Sequence, residues 1–165
     1  MTRLFTAFPL PDPVADHLAD HLPKLPAGVK SIDRDTWHIT VVFHGDDDLD
    51  ARLAALAEID MTLPAPRLRL RGSGTFPGVG WIGVQADGAL PALVAAAGRS
   101  PEDYIPHMTI ARWPKDQQVQ LGLDDYTGPE WTPSELVLFT SERGPVYTPI
   151  GQVRLLHAEQ PRPTC

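Results

Sequence analysis

Apolar and polar positions alternate from the first residues of the chain. Thr2 to Leu10 is rich in β-formers and is punctuated by Pro9 and Pro11, which predicts a first strand. A short amphipathic helix follows: Asp12 suits the N-cap, Pro13 the first helical position, and Val14, Leu18 and Leu22 recur at a spacing of four until Pro23. Lys30 to Asp33 predicts a brief strand. Trp37 to Phe43 predicts a strong one, built almost entirely from β-branched, aromatic and His residues. Leu49 to Ile59 is expected to be helical, with Leu49, Leu53 and Leu56 on one face and Asp46, Asp47, Asp48 and Asp50 near its positive end. Further on, Leu68 to Arg71 and Trp81 to Val84 predict antiparallel strands joined through a glycine-rich turn over 72–80. Pro91 to Ala97 predicts a short helix, and His107 to Trp113, Glu135 to Thr140 and Val153 to Leu156 predict strands. The order implies an α+β fold with helices packed on a largely antiparallel sheet. One domain over residues 1–157 is expected, with 158–165 as a loose polar tail.

Composition narrows the classes. With 42% hydrophobic residues in 165, the chain can bury a core and fold alone. The 18 prolines favour short elements with rigid connections. Cys165 is the single cysteine, so neither an internal disulfide nor a Cys-ligated zinc site is available. The longest stretch free of Asp, Glu, Lys and Arg is Gly72 to Ala86, too short and glycine-rich for a membrane helix, and the opening residues lack a signal-peptide pattern. A cytoplasmic protein without membrane contact is expected. A net charge of −7 repels long polyanions, so non-specific binding of long nucleic acid is not expected, though a local anion site is compatible with it.

Two segments share one pattern: His38-Ile39-Thr40-Val41 and His107-Met108-Thr109-Ile110 each alternate His, apolar, Thr, apolar. The composition gives about 0.4 His-x-Thr triplets by chance, and two with apolar residues at every interleaved position in about two shuffled chains per thousand. Chance is a poor explanation. Along a strand, His38 and Thr40 point to one side and Ile39, Val41 and Phe43 to the other; His107 and Thr109 divide likewise from Met108 and Ile110. Strict alternation places Arg112 opposite His107, so Arg112 reaches the same site only if the strand bends. Two such strands facing one cleft bring together two imidazoles for acid and base work and two hydroxyls for holding a ligand.

The chain resembles the two-histidine phosphoesterases, and within them the bacterial and archaeal RNA 2′,3′-cyclic phosphodiesterases, also called 2′-5′ RNA ligases. The resemblance rests on the stretch from Arg3 to Pro11, on Trp37 to Gly45, on Pro106 to Arg112 and on Leu136 to Glu142. It implies two pseudo-symmetric lobes around a central cleft and hydrolysis of a terminal 2′,3′-cyclic phosphate to a 2′-phosphomonoester, with 2′-5′ ligation as a possible reverse. It implies His107 as the base toward water and His38 as the acid toward the leaving oxygen. Thr40, Thr109 and Arg112 would hold the phosphate, with no metal and no cofactor. Val42 stands where the family often has a basic residue, and His44 where it often has an apolar one. Two alternatives stay open: a cyclic phosphodiesterase on a small nucleotide such as ADP-ribose 1″,2″-cyclic phosphate, and a nucleotide-binding module without turnover. The partner is thus an RNA end or a small cyclic-phosphate nucleotide, and a monomer is expected.

Other residues have plainer readings. His17 and His21 lie four apart, as metal ligands can, but no third ligand is evident and a solvated helix face is simpler. The Asp46 to Asp48 run suits a helix start better than a cation site. The basic stripe Arg67, Arg69, Arg71 suits an exposed sheet face. Phe76, Trp81 and Tyr104 fit a core more simply than base stacking.

Overall fold

The computed structural model describes residues 2–59 and 62–156. Twelve elements follow one another: β1 (Thr2–Pro9), α1 (Asp12–His21), β2 (Lys30–Ser31), β3 (His38–Asp47), α2 (Leu49–Ala57), β4 (Leu68–Phe76), β5 (Val79–Ala86), α3 (Leu90–Ala96), β6 (His107–Arg112), β7 (Thr127–Trp131), β8 (Glu135–Glu142) and β9 (Val146–Arg154). They form two antiparallel sheets, ordered β3-β1-β8-β9 and β2-β6-β5-β4-β7. This is the α+β architecture expected from the sequence, with two lobes. The tail expected over 158–165 lies outside the described residues.

Each lobe is pinned by the alternating residues of its strands. Leu4, Phe8, Ile39, Val41, Leu136 and Leu138 from the first sheet, and Leu68, Leu70, Ile82, Met108 and Ile110 from the second, are almost fully buried. They join one continuous core with Leu18 of α1, Leu56 of α2 and Leu93 and Val94 of α3. α1 follows β1 in sequence but packs on β7 of the other sheet, while α2 packs on β9. Through α1 and β2 the segment after β1 therefore ties the two lobes together.

Among several register shifts, two fall at equivalent places in the two lobes. Between β1 and β3, Ala7 pairs with Thr40 and Thr6 with Val42, so Val41 is an extra residue. Between β5 and β6, Trp81 pairs with Thr109 and Gly80 with Ala111, so Ile110 is extra. Each is a β-bulge, and beyond it the strand's side chains exchange faces. A second shift in β3 makes His44 extra as well.

Several elements differ from expectation. The glycine-rich turn over 72–80 contracts to Pro77 and Gly78, because Gly72 to Gly74 belong to β4. At Gly74 a Cβ would collide with the Trp81 ring, and at Gly83 it would stand 2.5 Å from the Arg71 carbonyl oxygen. These glycines permit close approach within the sheet. β9 starts at Val146, well before Val153, and β7 carries Gly128 and Pro129, which hide it from propensity. Pro129 is tolerated because β7 is an edge strand. α1 takes Pro11 rather than Asp12 as its N-cap. Asp46 and Asp47 complete β3, and Asp48 alone caps α2 by accepting from the Ala51 N–H at 3.0 Å.

Gly83→Ala should lower stability by about 1 to 3 kcal/mol in urea denaturation, because the backbone of β4 must move. Gly88→Ala, where a Cβ meets nothing within 4 Å, should stay within about 0.5 kcal/mol of the parent. Equal midpoints for the two variants would contradict the packing described at Gly83.

Candidate active site

β3 is an edge strand of the first sheet and β6 lies in the second, and the two strands pack against each other. A cleft of about 600 Å³ opens there, lined by His38 and Thr40 from one strand and by His107, Thr109 and Arg112 from the other. All five residues singled out in the sequence therefore line one cavity. The apolar residues between them, Ile39, Val41, Met108 and Ile110, are buried behind and anchor both strands.

Local structure treats the two histidines alike. His38 Nδ1 lies 2.7 Å from the Thr36 carbonyl oxygen and His107 Nδ1 lies 2.7 Å from that of Ile105, in each case two residues earlier. A carbonyl only accepts, so Nδ1 carries the proton and donates it, and Nε2 remains the nitrogen available to a ligand. Each imidazole also has two aromatic neighbours. Phe5 and Tyr147 lie 4.7 and 5.1 Å from the His38 ring; Phe76 and Trp81 lie 5.4 and 5.8 Å from that of His107. The enclosure of His38 has an electrostatic consequence: burial disfavours the imidazolium and lowers its pKa, against the opposing effect of the Thr36 carbonyl.

The bulges decide what else reaches the cleft. Beyond Ile110, Arg112 turns to the face of His107 and Thr109, which is the bend that strict alternation lacked. Beyond Val41, Phe43 turns to the face of His38 and Thr40. It is not the buried anchor that alternation predicts: it is 53% exposed and lines the cleft, with the Arg3 guanidinium 5.2 Å from its ring centroid. Phe43 and Arg112 thus occupy matching places in the two lobes. The same bulge sends His44 to the opposite face, where its Nε2 meets Thr6 Oγ1 at 2.8 Å; burial first, then the charge of Arg52, lowers its pKa.

Tyr104 ties the motifs together. Its hydroxyl donates to the Thr40 carbonyl oxygen at 2.8 Å, joining the segment before β6 to the exposed edge of β3. Burial pushes its pKa up to about 12, so it stays a donor at neutral pH.

The remaining candidates fall outside the cleft. His17 and His21 stack at 4.3 Å and His17 Nδ1 meets the Tyr126 hydroxyl at 2.8 Å, a packing role. Arg67 pairs with Asp87 and Glu130 at 3.5 and 3.9 Å, and Arg69 with Glu130 at 3.9 Å, so this stripe is held by carboxylates on a sheet face. Among the described residues, no group of three or more His, Cys, Asp or Glu side chains is placed to hold a metal ion, and no helix is long and apolar enough to cross a membrane. Sequence reasoning passed over Lys30, Phe5 and Tyr147 as cleft residues. Lys30, a basic residue on a two-residue strand, carried no local signal that relates it to the cleft. Phe5 and Tyr147 carried none that separates them from core aromatics.

Comparison with known proteins gives the same grouping. Curated relatives named RNA 2′,3′-cyclic phosphodiesterase include one from Methanocaldococcus jannaschii, 27% identical over 67% of this chain and 70% of its own, and one from Methanothermobacter thermautotrophicus, 28% identical over 93% and 98%. Among solved structures, TT0787 of Thermus thermophilus superposes with a TM-score of 0.76 at 30% identity, covering 93% of this chain and 97% of its own. E. coli LigT complexed with phosphate gives 0.74 at 25% identity, again with 93% and 97% covered. The family described as the 2′-5′ RNA ligase superfamily matches residues 10–145, and with this span and the two-lobed fold the chain belongs to that superfamily.

Proposed function

We propose that the protein hydrolyses a terminal 2′,3′-cyclic phosphate on RNA to a 2′-phosphomonoester, without a metal, with His38 and His107 as acid and base. The observation that carries this reading is the pair of equivalent imidazoles, each with Nδ1 committed to the carbonyl two residues earlier, lining one cleft beside two threonines. The names of the curated relatives support it, as does a phosphate-bound E. coli neighbour.

Ring opening exchanges one P–O bond for another. Water forms the new bond to phosphorus and loses a proton to His107 Nε2. The bond from phosphorus to the 3′ oxygen breaks, and that oxygen takes its proton from His38 Nε2. The Thr40 and Thr109 hydroxyls and the Arg112 guanidinium hold the non-bridging oxygens while charge on them rearranges. Proton count is conserved: the enzyme ends with His107 charged and His38 neutral, the reverse of its starting state. A 5′-hydroxyl entering where water enters would leave a 2′-5′ linkage instead. Burial lowers the His38 pKa, whereas the acid role needs the imidazolium. An anionic diester beside the ring supplies the opposing effect, favouring the charged form as substrate binds.

The net charge of −7 favours short substrates over long RNA, which keeps a small cyclic-phosphate nucleotide such as that of ADP-ribose as a second reading. Comparing kcat/KM on an oligonucleotide and on a mononucleotide separates the two.

The intact protein should convert a short RNA ending in a 2′,3′-cyclic phosphate to a 2′-phosphate in excess chelator, and His38→Ala and His107→Ala should each lose about 10²- to 10⁴-fold in kcat. No turnover by the intact protein overturns the reading. With a substrate whose leaving group needs no proton, His38→Ala should recover most of its loss and His107→Ala should not; equal losses would reverse or dissolve the assigned roles. In the free protein, His38 should titrate below the usual value of about 6.5, followed by NMR, and inorganic phosphate should move it upward. A His38 midpoint above that value would contradict the burial argument. Tyr104→Phe, which keeps the ring and removes the bond to Thr40, should cost about 1 kcal/mol of stability and several-fold in kcat with KM nearly constant. An unchanged kcat would show that the tie plays no part in positioning.

A further inference from the structure

Lys30 and Arg112 are directly paired across β2 and β6, and both line the cleft that holds the two histidines. Side chains of directly opposed residues share one face of a sheet, so two positive heads stand side by side, an arrangement that is destabilising by itself. Neither is neutralised: the ion pairs among the described residues engage Arg34, Arg52, Arg67 and Arg69, but not Lys30 or Arg112. Acidic residues outnumber basic ones by 21 to 14, so a cation pair left without a carboxylate is not explained by a shortage of partners. Asp33 lines the same cleft, but its carboxylate accepts from the Asp35 N–H at 3.0 Å. Arg3, the other cation of the cleft, already lies over Phe43. An unneutralised, adjacent pair of cations in a concave site is a place for an anion that the protein does not itself supply.

Its position identifies that anion. Thr109 is the hydroxyl beside His107, and Arg112 lies one strand period farther along β6, roughly 7 Å away. One phosphate held at Thr109 leaves Lys30 beyond it. In a nucleotide whose 2′ and 3′ oxygens are both closed into the cyclic phosphate, any further phosphate must be attached through the 5′ oxygen. We propose that Lys30, standing beyond the Arg112 that reaches the cyclic phosphate, provides a subsite for this second, 5′-side phosphate, so that the cleft prefers nucleotides with a 5′-phosphoryl group or an upstream phosphodiester over bare nucleoside cyclic phosphates. The proposal rests on the functional reading above and adds to it the class of substrate.

Equilibrium binding tests the subsite without requiring turnover. Isothermal titration at low salt compares adenosine 2′-monophosphate, which resembles the product, with adenosine 2′,5′-bisphosphate. The intact protein should bind the bisphosphate about fivefold tighter or better, an advantage that shrinks as salt is added. Lys30→Gln should remove most of that advantage while holding the monophosphate within about twofold, and Lys30→Arg should restore it. Equal affinity of the intact protein for both ligands, no binding of either, or an advantage undiminished in Lys30→Gln each overturns the proposal. A protein that shows the Lys30-dependent advantage yet opens no cyclic phosphate retains the subsite and loses the functional reading, so the two failures are distinguishable.

Discussion

The site depends on one backbone irregularity used twice. A regular strand offers its cleft every second side chain, so a histidine and a threonine come easily and the residue three beyond the threonine faces the wrong way. The unpaired Val41 and Ile110 correct this, and Phe43 and Arg112 join the cleft-facing side of their strands as a result. The bulged residues are themselves buried, which fixes each irregularity in place: undoing it would carry a valine or an isoleucine out of the core.

On this common frame the lobes diverge. The backbone device and the carbonyl that orients each imidazole are the same on both sides. At the matching positions, however, one lobe has an exposed aromatic ring and the other a guanidinium. A cleft of this kind is chemically polarised: one wall suits the flat face of a nucleobase and the other suits negative charge. Symmetric architecture thus presents two chemically different walls to one cleft.

Most of the framework was legible in the sequence, because the features that reveal it are local. The paired His-x-Thr segments marked both strands that line the cleft, and periodicity placed the three α-helices of the described residues to within a few residues. What escaped depends on partners far along the chain. β7 contains Gly128 and Pro129 and is a strand only because β4 offers it an edge; the start of β9 at Val146 is set by β8. Phe43 looked like an anchor because period-two reasoning has no term for an unpaired residue. The same omission left Arg112 on the wrong face. Lys30 acquires meaning only when β2 is laid beside β6, since nothing near it in sequence points to Arg112.

The first sheet carries a further consequence, in the order of events during synthesis. Its central pair joins β1 to β8, with Leu4 opposite Thr140, so the strand made first waits for one of the last before it has neighbours on both sides. The second sheet draws β4 to β7 from one contiguous stretch and can assemble while the chain is still emerging. Closing the long loop between Leu4 and Thr140 carries an entropic cost and makes this a topology of high contact order, which slows folding. His38 thus resides in the lobe that completes last, and a nascent chain has no closed cleft until translation has passed β8.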